Sequence, residues 1–260
     1  MGAKKRKRLE AAVAAIRRRW GPNALRQGGQ VRQAAAAMPH ISTGFPVLDQ
    51  ALAGINGIPR GRVTEILGAP TSGMATLALK VVAQAQAEGD TAAYVDLGTT
   101  FDPDYAARCG VDLNRLLLIR PKTGLEALEI VLILVANRGT GILIFDPVSD
   151  LLADQDGAQA LSVSLRQLPQ ALTRSACAPI FLTPLRFGHA MSPANYPGGF
   201  ALPHYATVRL LLKKERWIYK RGDIRGYQAR VLILKNKLGP AGQSAPIAIT
   251  FNGVVSGDST

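Results

Sequence analysis

The apolar positions of this chain fall into short dense runs separated by longer stretches of helical periodicity. Segments 63–67, 92–96, 116–120, 141–146 and 178–182 are nearly continuous in hydrophobic residues, the pattern of strands buried on both faces. Between them, 76–86, 104–109, 124–138 and 158–174 read as helices, and Gly89 breaks the pattern after the first of these. Three alternating segments, 207–212, 228–234 and 247–251, read as late strands. The order βαβαβαβ with a β-rich end predicts an α/β fold, a mostly parallel central sheet flanked by helices with right-handed crossovers. Ahead of it, Leu9, Val13, Ile16 and Trp20 recur at helical spacing among Lys and Arg, which predicts a basic helix over 4–20 ending at Gly21-Pro22. The expected organisation is an N-terminal basic helix and linker over 1–40 and one core domain over 41–260, a length sufficient to bury a full α/β core.

The first strand and helix enclose a loop opened by Gly68 and closed by Gly73. Strand, loop and helix in that order are the layout of a phosphate-binding loop, G-x-x-x-x-G-K-[ST], in which backbone N–H groups and the helix N-terminus hold phosphates, the Lys reaches the outer phosphates and the hydroxyl holds a metal ion. Here Met74 stands in the Lys position and Ala75 in the hydroxyl position. A thioether neutralises no phosphate and a methyl holds no metal, so this loop reads as a nucleotide site with its chemistry removed. Strand 141–146 ends in Asp146, the pattern of the acid that holds the metal's water shell in such folds.

The formal net charge of +13 is unevenly placed. Residues 1–37 carry ten Lys or Arg against Glu10, and residues 205–237 carry ten against Glu215 and Asp223, while the stretch between them is mildly acidic. Two basic blocks flanking an acidic core predict a polyanion partner, nucleic acid before an acidic protein. No apolar run reaches the roughly 18 residues of a membrane span. The apolar segment after the basic start is short and runs into Arg17-Arg18-Arg19, so no signal peptide is expected; the expected setting is the cytoplasm, without membrane contact. Cys109 and Cys177 have no CxxC spacing, and His40, His189 and His204 form no ligand pattern, so no metal site is expected. The segment 186–199, rich in Gly, Pro and small residues, reads as a loop.

These segments together resemble the bacterial RecA recombinase family. The resemblance rests on Ile41-Ser-Thr-Gly with Leu48-Asp49 and Ala51-Leu52, the phosphate-loop frame, Asp102-Pro103 with Tyr105, Thr123-Gly124 with Glu126-Ala127-Leu128-Glu129, Gly198-Gly199 with Ala201-Leu202 and Tyr205, Val208-Arg209, and Lys235-Asn-Lys237. It implies a RecA-like P-loop core, with no counterpart here of the family's small C-terminal domain. It also implies that Gly98 stands where the family keeps a water-activating Glu, and Thr183-Pro184 where it keeps an Asn-Gln pair that senses the γ-phosphate. Asp102 and Tyr105 match residues that read and stack adenine, and Asp146 matches the acid of the metal shell. Arg186, Phe187, Tyr196, Gly198 and Gly199 fall in the place of the second DNA loop, where Phe187 or Tyr196 would stack on bases and Arg186 would meet the backbone. Lys235 and Lys237 match lysines that reach the nucleotide of the next subunit.

The implied function is a catalytically degenerate DNA-repair and recombination accessory. It would bind single-stranded DNA, an active RecA filament or both, and resemble the ImuA-type accessory proteins of translesion synthesis, which bridge RecA and an error-prone polymerase complex in the SOS response. No cofactor is required on this reading, weak ATP or ADP binding stays open, and self-assembly is expected to be weak or absent. Two alternatives stand beside it: a DNA-dependent ATPase whose missing charge comes from Lys80 or Arg60, and a pure protein-protein adaptor.

Overall fold

A computed structural model describes residues 3–25, 38–152, 155–185, 201–251 and 255–256. The chain divides into two units, residues 1–38 and 39–260. In the first, Ala3–Trp20 is a single helix whose last turn holds Arg17, Arg18 and Arg19, cations placed where the helix dipole favours them. Arg19 lies over the Trp20 ring, with its guanidinium carbon 4.8 Å from the ring centroid.

Among the described residues the second unit holds a two-stranded antiparallel ladder, β1 (His40–Ile41) with β2 (Ile58–Pro59), and a sheet of nine further strands, numbered β3 to β11 along the chain and arranged β11-β10-β9-β8-β3-β7-β6-β4-β5. Its central members are β3 (Thr64–Gly68), β4 (Ala92–Asp96), β5 (Leu116–Ile119), β6 (Ile142–Asp146) and β7 (Ala178–Pro184). All neighbouring pairs among these five are parallel, and β3 also pairs in parallel with β8 (Val208–Lys220). Antiparallel β9 (Asp223–Asn236), β10 (Ser244–Phe251) and β11 (Val255–Ser256) complete it. Helices cover both faces. Met74–Ala87 packs its buried Leu77, Ala78, Val81, Val82 and Ala85 into one cluster with Ile66, Ile144 and Ile180, while Gly124–Asn137 and Gln155–Leu172 close the other face over Leu143, Phe145 and Phe181. Phe145 and Phe181 stack there with centroids 5.5 Å apart. Cys109 and Cys177 are buried free thiols; burial pushes the first up to about 11 and the second to about 12, so both stay protonated.

The expected strands and helices are all present, with two differences. Met74–Ala87 starts two residues before the periodic pattern does, since Gly73, at φ 102, ends the loop and frees Met74 to begin the helix. The late strands are also much longer than their alternating segments. Past Leu212, which is level with Gly68 at the end of β3, β8 has no parallel neighbour and continues as a hairpin with β9, turning at Arg221 (φ 52) and Gly222 (φ 87). Positive φ at both turn residues matches the twist of a two-residue hairpin. Register shifts between Lys214 and Arg216 and between Ile218 and Tyr219 break the period-two pattern, which hid this extension from the sequence.

Candidate functional site

β3 delivers the loop to the carboxyl edge of the sheet, where α/β folds bind their ligands. Gly68 and Gly73 are required by close approach. A Cβ on Gly68 would lie 2.3 Å from Ser72 Oγ and 2.9 Å from the Leu212 carbonyl, and one on Gly73 would lie 2.8 Å from the Tyr227 hydroxyl. Ser72 is buried, and its Oγ has no hydrogen-bond partner among the described residues. Met74 is half-buried against the core, with its Cγ 3.2 Å from the same Gly68 Cβ position, so the thioether folds back over the loop; Ala75 is exposed.

The loop forms one side of a cavity of about 290 Å³ lined by Thr71, Gly73, Met74, Ala75, Thr76, Tyr105, Lys214, Trp217 and Tyr227. Thr76, in the first turn of the helix, shares a 2.5 Å hydrogen bond with the Tyr105 hydroxyl. Burial raises the pKa of both Tyr105 and Tyr227, the latter to about 12, so two neutral tyrosine hydroxyls line the cavity. The opposite wall is the β8–β9 hairpin. Lys214 Nζ lies 3.0 Å from the Trp217 ring centroid, and Trp217 meets Tyr227 edge to face at 6.1 Å. These three residues escaped the sequence reading; the available signal was Arg221-Gly222 between two alternating segments, a hairpin turn pair.

The remaining site residues are placed as follows. Asp102 caps the helix Pro103–Arg108 by accepting from the Tyr105 N–H at 2.9 Å, so it and Tyr105 are adjacent but only Tyr105 lines the cavity. Asp146 ends β6, separated from β3 by β7, or about 10 Å by two strand spacings. It accepts a 2.6 Å hydrogen bond from the Tyr94 hydroxyl; burial raises its pKa above the usual carboxylate range, the Tyr94 bond opposes this, and Asp96 and Asp150 add to it. Gly98 faces this acid strand, and a Cβ there would lie 3.0 Å from Pro147 Cδ and 3.4 Å from an Asp150 carboxylate oxygen.

Thr183 donates to Glu65 Oε1 at 2.8 Å while Arg209 Nε donates to Oε2 at 2.6 Å, tying β7, β3 and β8 together around a fully buried Glu65. Lys235 donates to the carbonyls of Pro203 and His204, and Lys237 to that of His204 at 3.1 Å, so within the chain both serve the end of the helix Ala201–Tyr205. Arg60 is bound to Glu88 and Asp90, and Lys80 to the Val255 carbonyl at 3.2 Å; neither lines the cavity. The expected DNA-loop residues Arg186, Phe187, Tyr196, Gly198 and Gly199 lie outside the described residues. Among the described residues no His, Cys, Asp and Glu cluster could hold a metal, and no helix is long and apolar enough to cross a membrane.

A strand, glycine loop and helix at the carboxyl edge, with one strand between the loop strand and the acid-tipped strand, define the class of P-loop α/β proteins. Within it the comparisons are specific. Residues 7–256 match the family of the RecA N-terminal domain. The chain is 38% identical over 267 residues to Protein RecA of Chlorobium limicola, covering 97% of this chain and 76% of that protein. It is 37% identical over 271 residues to Protein RecA of Roseiflexus sp., covering 98% and 76%, and 38% identical over 267 residues to Protein RecA of Brucella suis, covering 97% and 73%. The chain belongs to the RecA family.

Proposed function

We propose that this chain is a RecA-family accessory of DNA repair and recombination that binds single-stranded DNA or an active RecA filament and does not itself turn over ATP. The observation that carries the reading is Met74: an uncharged side chain folded onto the core at the position from which the family's loop lysine reaches phosphate, followed by an exposed Ala75. A magnesium-bound triphosphate would find neither the counter-charge nor the hydroxyl there, so the residues present do not fit that group and no hydrolytic step is derived through it. The Gly98 position points the same way, because a glutamate there would have to displace Pro147 and would face the Asp150 carboxylate. An ImuA-type role beside RecA and a translesion polymerase is the narrower form of this proposal, in which Lys235 and Lys237 would leave the His204 carbonyl to reach a neighbour's nucleotide.

A second reading, an ATPase with an atypical site, draws on one observation, the presence of Lys214 in the wall of the cavity. The deciding measurement is ATP turnover with and without single-stranded DNA. We expect none, and none after Met74→Lys with Ala75→Thr, since Gly98 still supplies no base. Turnover that Asp146→Asn abolishes overturns the proposal. For DNA itself, the expected result is affinity that falls steeply with salt, with a shallower slope once residues 1–8 and their five cations are deleted. Affinity unchanged across salt favours the adaptor instead.

A further inference from the structure

Three adjacent antiparallel strands each present one side chain to the mouth of the glycine loop. Trp217 of β8 lies directly opposite Tyr227 of β9, and Tyr227 lies directly opposite Ile249 of β10. Opposed residues of antiparallel strands share a face of the sheet, so the three form one row. The row is pressed against the loop. A Cβ on Gly73 would lie 2.8 Å from the Tyr227 hydroxyl and 3.3 Å from Ile249 Cδ1. Behind the row the backbones are equally close, since Gly226 faces the Ile249 carbonyl with no room for a side chain. Tyr227 therefore sits in a strand flanked on both sides and belongs to a wall rather than to a flap.

An aromatic wall holds a nucleobase by stacking, which needs a free ring face. The rings here have little to offer. Lys214 Nζ lies 3.0 Å from the Trp217 centroid and 5.1 Å from that of Tyr227, so the ammonium covers a face of the tryptophan. Tyr227 is only 6% exposed, with Trp217 edge to face at 6.1 Å and Phe251 at 5.8 Å. Tyr105 carries the Arg108 guanidinium carbon 5.6 Å from its ring centroid, and its hydroxyl is held by Thr76. Lys214 is the one charged residue lining the cavity, and its ammonium already faces two rings. A phosphate at the opening of the helix Met74–Ala87 would send the rest of a nucleotide into this same space. That space, at about 290 Å³, is no larger than the smallest of the roughly 300–1,000 Å³ clefts that take drug-sized ligands.

We propose that Tyr227, braced by Trp217 and Ile249, is a fixed stopper that keeps a nucleotide from the glycine loop independently of the missing loop lysine. The inference rests on the reading of the chain as one that does not turn over ATP, and deepens it. Met74 and Ala75 remove what would hold the phosphates, and the wall removes the room for the nucleoside attached to them. Restoring the loop's charge and hydroxyl is then insufficient for binding, because the two obstacles are separate.

The test is a cycle of full-chain variants read by direct binding of fluorescent N-methylanthraniloyl-ADP with magnesium. Met74→Lys with Ala75→Thr restores the loop, and Trp217→Ala with Tyr227→Ser opens the wall. The wild type and each pair alone should show little or no binding, and the four changes together should bind at least about tenfold more tightly than the restored loop alone. Circular dichroism and a cooperative melt check the fold of each variant. If the restored loop binds as tightly as the fourfold variant, the stopper is wrong, and the reading of the chain as inactive toward ATP survives on Met74 and Ala75. If the fourfold variant folds and fails to bind, the stopper is wrong as well. Should the fourfold variant not fold, the restored loop with its hairpin intact decides. There the stopper requires ADP to raise the melting temperature no more than inorganic pyrophosphate does at equal concentration, and a larger shift with ADP overturns it. Binding by the wild type without turnover overturns the stopper alone, and binding with turnover overturns the proposed function too.

Discussion

The two walls of the glycine-loop cavity carry opposite inheritances. On the β3 side the backbone devices of a phosphate site are intact, with Gly68 and Gly73 at positions no Cβ could share and a helix opening at Met74, but the side chains there are a thioether, a methyl and a tyrosine-bound threonine. On the β8–β9 side the backbone is an ordinary hairpin, and the side chains are the ones with chemistry, Lys214, Trp217 and Tyr227. Glycines persist on the first wall because the Ser72 hydroxyl, the Leu212 carbonyl and the Tyr227 hydroxyl crowd them. The form of such a loop is held by packing whatever side chains it carries, while the charge and aromatic surface of this cavity lie on the hairpin wall.

The walls are joined below the cavity by Arg209 of β8 on Glu65 of β3, and cutting that joint is the largest effect available. Glu65 is fully buried, and burial pushes its pKa up against the opposing pull of Arg209 and Thr183. Arg209→Ala would strand the carboxylate and should cost about 3–5 kcal/mol in denaturant unfolding. Adding Glu65→Gln should recover part of the loss; no recovery would mean that Arg209 acts by packing alone. Next in size is the hairpin's own fit. A Cβ on Gly226 would lie 2.0 Å from the Ile249 carbonyl, so Gly226→Ala should destabilise by about 1–3 kcal/mol and shift β9 against β10. A stability change near zero would show the hairpin to be free of β10. Tyr105→Phe removes the hydroxyl that meets Thr76 at 2.5 Å, for an expected loss of about 1 kcal/mol.

The same contrast explains what the sequence made legible. The five buried strands and their helices follow from uninterrupted apolar runs and 3.6-residue periodicity, and the loop from two glycines at fixed spacing. The first half of β8 was readable because it pairs with β3 and lies buried; its second half was not, because beyond Leu212 only β9 flanks it and two register shifts disturb the alternation. For the site, Met74, Ala75, Tyr105 and Asp146 were legible as positions in a motif. The engagement of Arg60 with Glu88 and Asp90, and of Lys235 and Lys237 with main-chain carbonyls, was not, since each depends on a group far away in sequence, whereas the Asp102 cap is local, an Asp directly before Pro103 accepting from Tyr105 three residues on.

Lys235 gives the smallest expected effect and the finest discrimination between the two walls, because it reports on β9 below the hairpin. Its pKa is lowered to about 8, first by burial, then by the neighbouring charges of Lys237 and Arg209, with Glu65 pulling the other way. In the unfolded chain the amine returns to its ordinary value near 10.5. Between about 8 and 10.5 the unfolded chain therefore binds more protons at this position than the folded one, so the Lys235 contribution to stability rises with pH across that window and is flat below it. Other lysines and tyrosines titrate in the same range, so the readout is the difference in unfolding free energy between the wild type and Lys235→Met at each pH. That difference should drift in favour of the wild type from pH 8 upward, and ¹³C-detected titration of the lysine ε-carbons should show one signal moving near pH 8. If all lysine signals move together near pH 10, Lys235 is held away from its neighbours and solvated. The contact with the Pro203 and His204 carbonyls would then be absent in solution, and the lysine would be as available to a partner subunit as the family resemblance implies.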